Sequence, residues 1–261
     1  MLRPGDVASF RESGFVVLPR AFDPGPLTRE MDRSFADGLV AGRGENAGSG
    51  GVTFRCVPMT CALTPESVAL IETLAGAAAD LLGRAVLPVR AKGTLYRGNS
   101  GWHRDSDLGI PSIGFVAYLE SLTAERGALR VQPGSHREPP GDAALRRPFA
   151  EGLAIETEPG DVIAFDEHLV HGSTGGGARR QWRIDFIGDP LDRTEEASVR
   201  SYFARIFDTG WDGGYDVERF PSYGPSWRSA DQPWTERLRE LGAYDVADAQ
   251  EDAVRAKQRR G

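Results

Sequence analysis

Residues 160–189 read GDVIAFDEHLVHGSTGGGARRQWRIDFIGD. Two apolar runs, 162–165 and 182–187, flank a glycine-rich turn. Each run is of strand length, and the turn between them is rich in the residues that break regular structure. Upstream the same rhythm recurs in GTLYRG (93–98), IGFVAYLE (113–120), ALRVQPGS (128–135) and LAIETEPGD (153–161). Short strands at this spacing, punctuated by Gly, Pro, Ser and Asp, predict an antiparallel sandwich or barrel over about 86–189.

The flanks read differently. Asp6 is expected to cap a short helix ended by Gly14, followed by a brief strand at 15–18. Over 26–39, Leu27, Met31, Phe35 and Leu39 recur every four residues and predict one face of a helix. A glycine-rich loop follows at 42–51. Thr64-Pro65-Glu66 reads as the start of a helix running to about Leu82, with Thr64 as N-cap. Helical character returns at 195–206. An aromatic loop, FPSYGPSW (220–227), is placed to act as a lid, and a polar helix ends the chain. The whole, 1–261, reads as one domain, mainly β with flanking α-helices.

Bulk properties narrow the function. The 261 residues are 40% hydrophobic and 26% charged, with a net charge of -7. An acidic chain of this kind argues against nucleic-acid binding, and no apolar run is long enough to span a bilayer. The N-terminus shows no apolar signal segment. Cys56 and Cys61 form no second pair for a zinc site and read as free thiols in a reducing cytoplasm.

The chemistry rests on four histidines: His103, His136, His168 and His171. His103 and Asp105 form H-x-D. On an extended segment they share a face, so an imidazole and a carboxylate can bind one ion. His171, at the end of its run, is the best third ligand for a 2-His-1-carboxylate site, the arrangement that holds iron(II) with positions left open. On a strand, His168 would point the other way. His136, after a Pro-Gly turn, is expected at a rim or in packing.

The ordered segments WHRD (102–105), GALRVQPGSHR (127–137), PGDVIAFDEHLVHGS (159–173) and RRQWRIDFIGD (179–189) resemble the phytanoyl-CoA dioxygenase family of iron(II)- and 2-oxoglutarate-dependent oxygenases. The resemblance is strong over 86–189 and weaker over 10–33. It implies a double-stranded β-helix, with iron(II) on His103, Asp105 and His171 and with 2-oxoglutarate and O2 as cosubstrates. It also implies an arginine on the strand after the distal histidine to take the 5-carboxylate of 2-oxoglutarate. Arg179 and Arg183 share a strand face and are the candidates, Arg179 ranked first, while Arg180 points away. Ser173 matches a family position that hydrogen-bonds the cosubstrate.

The implied reaction is oxidation of a C–H bond of a small molecule, such as a natural-product or antibiotic intermediate. Hydroxylation is the default; epimerisation, ring closure and desaturation occur in relatives. An intact Asp105 argues against halogenation. Tyr96, Trp102, Arg104 and Asp107 are candidate substrate contacts, and Asp107 would suit an amino-bearing substrate. The alternatives are a non-catalytic cupin-like binding module and a zinc hydrolase, which would also use three protein ligands.

Overall fold

A computed structural model describes residues 2–40, 46–47, 49–106, 109–139, 141, 143–175, 177–207 and 214–260. Asp107 and part of the 42–51 loop lie outside these. The helices are α1 (Asp6–Ser13), α2 (Pro24–Gly38), α3 (Pro65–Leu82), α4 (Arg193–Ile206), α5 (Pro225–Arg228), α6 (Thr235–Glu240) and α7 (Ala243–Arg260). The strands are β1 (Phe15–Leu18), β2 (Asn46–Ala47), β3 (Thr53–Pro58), β4 (Val86–Pro88), β5 (Lys92–Arg97) and β6 (Ser100–His103). They continue with β7 (Ser112–Tyr118), β8 (Leu129–Val131), β9 (Leu153–Ile155), β10 (Val162–Asp166), β11 (His171–Ser173) and β12 (Arg179–Gly188).

The strands form two antiparallel sheets. The larger has the order β1-β10-β7-β12-β5-β3-β2, with β4 also on β12; the smaller is β6-β11-β8-β9. The sheet therefore recruits β1 and β3 from outside the 86–189 span. β1 pairs with β10, Phe15 opposite Phe165, and β3 pairs with β5, Cys56 opposite Thr94.

Strand parity divides the core. On β12, Trp182, Ile184 and Phe186 turn to the helices and join the main apolar cluster with Leu70, Ile71 and Leu74 of α3. On β7 and β10, Val116, Tyr118, Ile163 and Phe165 turn the opposite way. They pack between the sheets with Leu129 and Val131 of β8. The remaining face of β12 is left to polar residues: Arg179, Gln181, Arg183 and Asp185 are all buried there. A row of buried charge on one face of a central strand marks a lined interior rather than packed core.

Local details differ from the sequence expectation. Thr64 makes no capping bond to α3; its Oγ1 donates to the Cys61 carbonyl. The free N–H groups of Glu66 and Ser67 are instead taken by Glu30 of α2, at 2.7 and 2.9 Å. Asp6 likewise sits inside its helix and accepts from Arg3 N. The 220–227 segment is not a lid. Phe220, Tyr223 and Trp227 are buried, and the Tyr223 hydroxyl donates to the Val89 carbonyl. Its alternation of aromatic and small residues reads equally as a loop tip or as core, and packing decides for core. No helix among the described residues is long and apolar enough to cross a membrane.

Candidate metal centre and cosubstrate pocket

The two histidines of the predicted triad meet across one strand pair. β6 and β11 run antiparallel with His103 opposite His171, and their ring centroids are 4.3 Å apart. Each Nδ1 lies close to the backbone carbonyl two residues earlier: His103 to Gly101 O at 2.8 Å, His171 to Leu169 O at 2.9 Å. A carbonyl can only accept, so each Nδ1 carries a proton and each ring turns its Nε2 toward Asp105. Asp105, just past β6, completes the group. Its Oδ2 is 3.2 Å from His171 Nε2 and its Oδ1 3.7 Å from His103 Nε2. All three donor atoms fall within 4.8 Å of one another, and among the described residues this is the one such His/Cys/Asp/Glu group.

Electrostatics leave this group ready for a cation. Burial and the neighbouring His171 ring push His103 down to about 4, so it is neutral at ordinary pH. Burial alone would raise Asp105, but the Arg183 guanidinium, with the His171 ring beside it, outweighs it. Together they hold its carboxyl well below the usual carboxylate range. Two imidazoles and one carboxylate, each oriented by a second contact, fit a first-row divalent metal.

A small residue makes the strand pair possible. A Cβ on Gly172 would lie 2.9 Å from the carbonyl oxygens of Gly101 and Ser100 and from the Phe149 ring. Glycine thus lets β11 approach β6 closely enough for the rings to converge. Gly175, in the turn that follows, has φ +116°, a conformation that a side chain would strain.

The triad opens into a cavity of about 620 Å³ between the two sheets. Both candidate arginines line it, in different company. Arg183 is saturated by acids: Nη1 to Asp105 at 2.7 Å, Nη2 to Glu167 at 3.1 Å and Nε to Asp185 at 2.6 Å. Arg179 makes no ion pair among the described residues. It donates to Ser173 Oγ at 2.6 Å and lies over the Tyr96 ring, 5.5 Å from its centroid. Arg180 points away, to Glu120 and Asp32.

Other sequence candidates are distributed as follows. Tyr96 lines the cavity. Trp102 and Arg104 do not: flanking His103 on an extended segment, they project to the other side. Trp102 stacks on Phe149 at 4.1 Å and donates to Arg147 O, and Arg104 donates to Ser135 O. His168 is excluded for a different reason than strand parity. The run is broken between β10 and β11, and His168 sits in that turn, its Nδ1 2.8 Å from Asp166. His136 packs beside Gly14, with its Nε2 3.3 Å from the Arg11 carbonyl. Sequence reasoning missed Glu167, Asp185 and Lys92 as cavity residues. Parity was the available signal, since Asp185 shares a strand face with Arg183, and Lys92 with Tyr96.

Known proteins share this arrangement of chain. Residues 10–181 match the family described as Phytanoyl-CoA dioxygenase (PhyH). The Dioxygenase FrzG of Cladobotryum sp. is 31% identical over 140 residues, covering 50% of this chain and 45% of that protein. The chain thus spans less than half the length of that curated relative. Among solved structures, AviO1 from Streptomyces viridochromogenes Tue57 superposes with a TM-score of 0.56 at 24% identity, covering 73% of this chain and 96% of that one. The epimerase SnoN, in complex with Fe3+, alpha ketoglutarate and nogalamycin RO, superposes with a TM-score of 0.58 at 20% identity, covering 71% and 83%. At these identities the two structures establish likeness of fold.

Proposed function

The chain belongs to the phytanoyl-CoA dioxygenase family, and we propose that it is an iron(II)- and 2-oxoglutarate-dependent oxygenase acting on a C–H bond of a small molecule. The observation that carries this reading is the convergence of His103, Asp105 and His171 on the same cavity wall as the Arg179–Ser173 pair. When bound, iron(II) with 2-oxoglutarate and O2 supplies the oxidising power; the protein's part is binding, orientation and exclusion.

The residues divide that work. His103 and His171 present Nε2, and Asp105 a carboxylate that Arg183 keeps ionised and in place. Arg179 is the guanidinium for the 5-carboxylate of 2-oxoglutarate, because its charge is not already taken by an acid. A planar guanidinium can grip a carboxylate through two hydrogen bonds, and Ser173 Oγ beside it adds a further contact. Arg183, the alternative, already answers the Asp105 and Asp185 carboxylates and also contacts Glu167, whose carboxyl burial and Asp185 push up to about 8. The apolar walls, including Val116, Phe165 and Leu129, limit water around the reacting carbon. A natural-product intermediate is the substrate type this reading favours, by analogy with SnoN, an epimerase crystallised with nogalamycin RO.

The test is anaerobic addition of iron(II) and 2-oxoglutarate. A weak visible charge-transfer band is expected, together with succinate release when air is admitted. No band, or release supported equally by zinc, would rule the reading out.

A further inference from the structure

Strands β5 and β12 place Tyr96 opposite Arg179 and Lys92 opposite Arg183. All four residues line the cavity. The two pairs are four residues apart, about 13 Å along the strands at ~3.3 Å per residue. The first pair is the cosubstrate end of the proposed site. The second lies beside the triad, through the contact of Arg183 with Asp105.

Charge at that second end is unevenly matched. Asp105, Glu167 and Asp185 are all paired with Arg183. Lys92 is left out: among the described residues no hydrogen bond or ion pair reaches its ammonium. Burial, with Arg90 and Arg183 beside it, presses this ammonium toward giving up its proton. Half-buried in a cavity wall, its ammonium is available to a counter-charge brought in from the cavity. The cavity is apolar as well as basic: Val116 and Phe165 lie against Arg183 at this end, and Ile206 is also in the walls.

We propose that Lys92 anchors a carboxylate of the substrate, so that this enzyme acts on a small organic acid whose apolar body lies against those walls. The inference rests on the oxygenase reading for which molecule is oxidised; the anion site itself does not depend on it. It differs from the amino-bearing substrate expected from Asp107, a residue outside the described ones.

The experiment compares carboxylates with their neutral amides (butanoate, hexanoate, benzoate and 2-naphthoate, each against its amide) by thermal unfolding. The full chain is used both without metal and, under argon, with iron(II) and 2-oxoglutarate. At least one carboxylate should raise the Tm by about 3 °C more than its amide. That advantage should vanish in Lys92→Met and return in Lys92→Arg. The stabilisation by 2-oxoglutarate should stay the same in all three proteins. The proposal is overturned if no carboxylate outperforms its amide, or if the advantage survives in Lys92→Met. It is also overturned if Lys92→Met weakens 2-oxoglutarate tenfold, which would assign the lysine to the cosubstrate. Failure of the charge-transfer band would count against the oxygenase reading alone, since the carboxylate preference is scored separately on the metal-free chain.

Discussion

His171 and His103 face each other across one antiparallel register position, and each is held by the carbonyl two residues before it. The same contact on both rings presents two Nε2 atoms toward one Asp105 carboxylate. Replacing His171 or Asp105 with Ala should weaken iron(II) binding by more than about 100-fold, beyond the loss typical of an outer contact. Anaerobic titration followed by the charge-transfer band measures this. Binding within threefold of the parent would remove the residue from the ligand set.

The two cavity arginines should separate by phenotype. Arg179→Ala should weaken 2-oxoglutarate by about 2–4 kcal/mol, roughly 30-fold or more, because it leaves a buried carboxylate unpaired. Arg183→Ala should instead lower folding stability by about 3–5 kcal/mol, because three acids lose their shared counter-charge. Urea unfolding and cosubstrate titration on both variants decide it. The reverse pattern would exchange their assignments.

Gly172→Ala tests the strand contact. The added methyl meets two backbone oxygens at 2.9 Å, so β6 must move away from β11. Stability should fall by about 1–3 kcal/mol, and iron(II) affinity should fall with it, although no ligand has changed. Parent-like affinity in this variant would show that the close approach is not needed.

The metal-free protein should respond to acid through His103. Its folded value, about 4, lies below the ordinary 6.5, so between these values the unfolded chain binds more protons than the folded one. Stability should therefore rise as pH increases from about 4 to 6.5. The His103→Gln variant should show a flatter Tm profile over that window. Identical slopes in the two proteins would assign the dependence to other groups.

The fold and the triad were legible because alternation and ligand chemistry are local signals. His103 and Asp105 stand two apart, and the runs 162–165 and 182–187 carry their burial in their spelling. What was illegible depends on distant partners. Nothing near Thr64 announces that Glu30 will cap its helix. Nothing in residues 220–227 distinguishes a mobile loop from buried aromatics, until α7 and the main cluster cover them. The proposed preference for Arg179 over Arg183 rests on where Glu167 and Asp105 lie in space, which the sequence does not show, since both arginines share one strand face. His168 lies outside the three-residue group, but parity is not the reason, since parity assumes a continuous strand and the chain turns there.

β6 is an outermost strand of the smaller sheet, and it carries His103 and leads into Asp105. An outer strand is free to fray on its unpaired side. A cation gripped by β6 and its neighbour β11 would act as a rivet across that seam. Amide hydrogens of residues 100–105 should then exchange with solvent much more slowly once metal is added, while those of β12, locked inside the larger sheet, should not change. Loading the centre and completing the local fold would be one event.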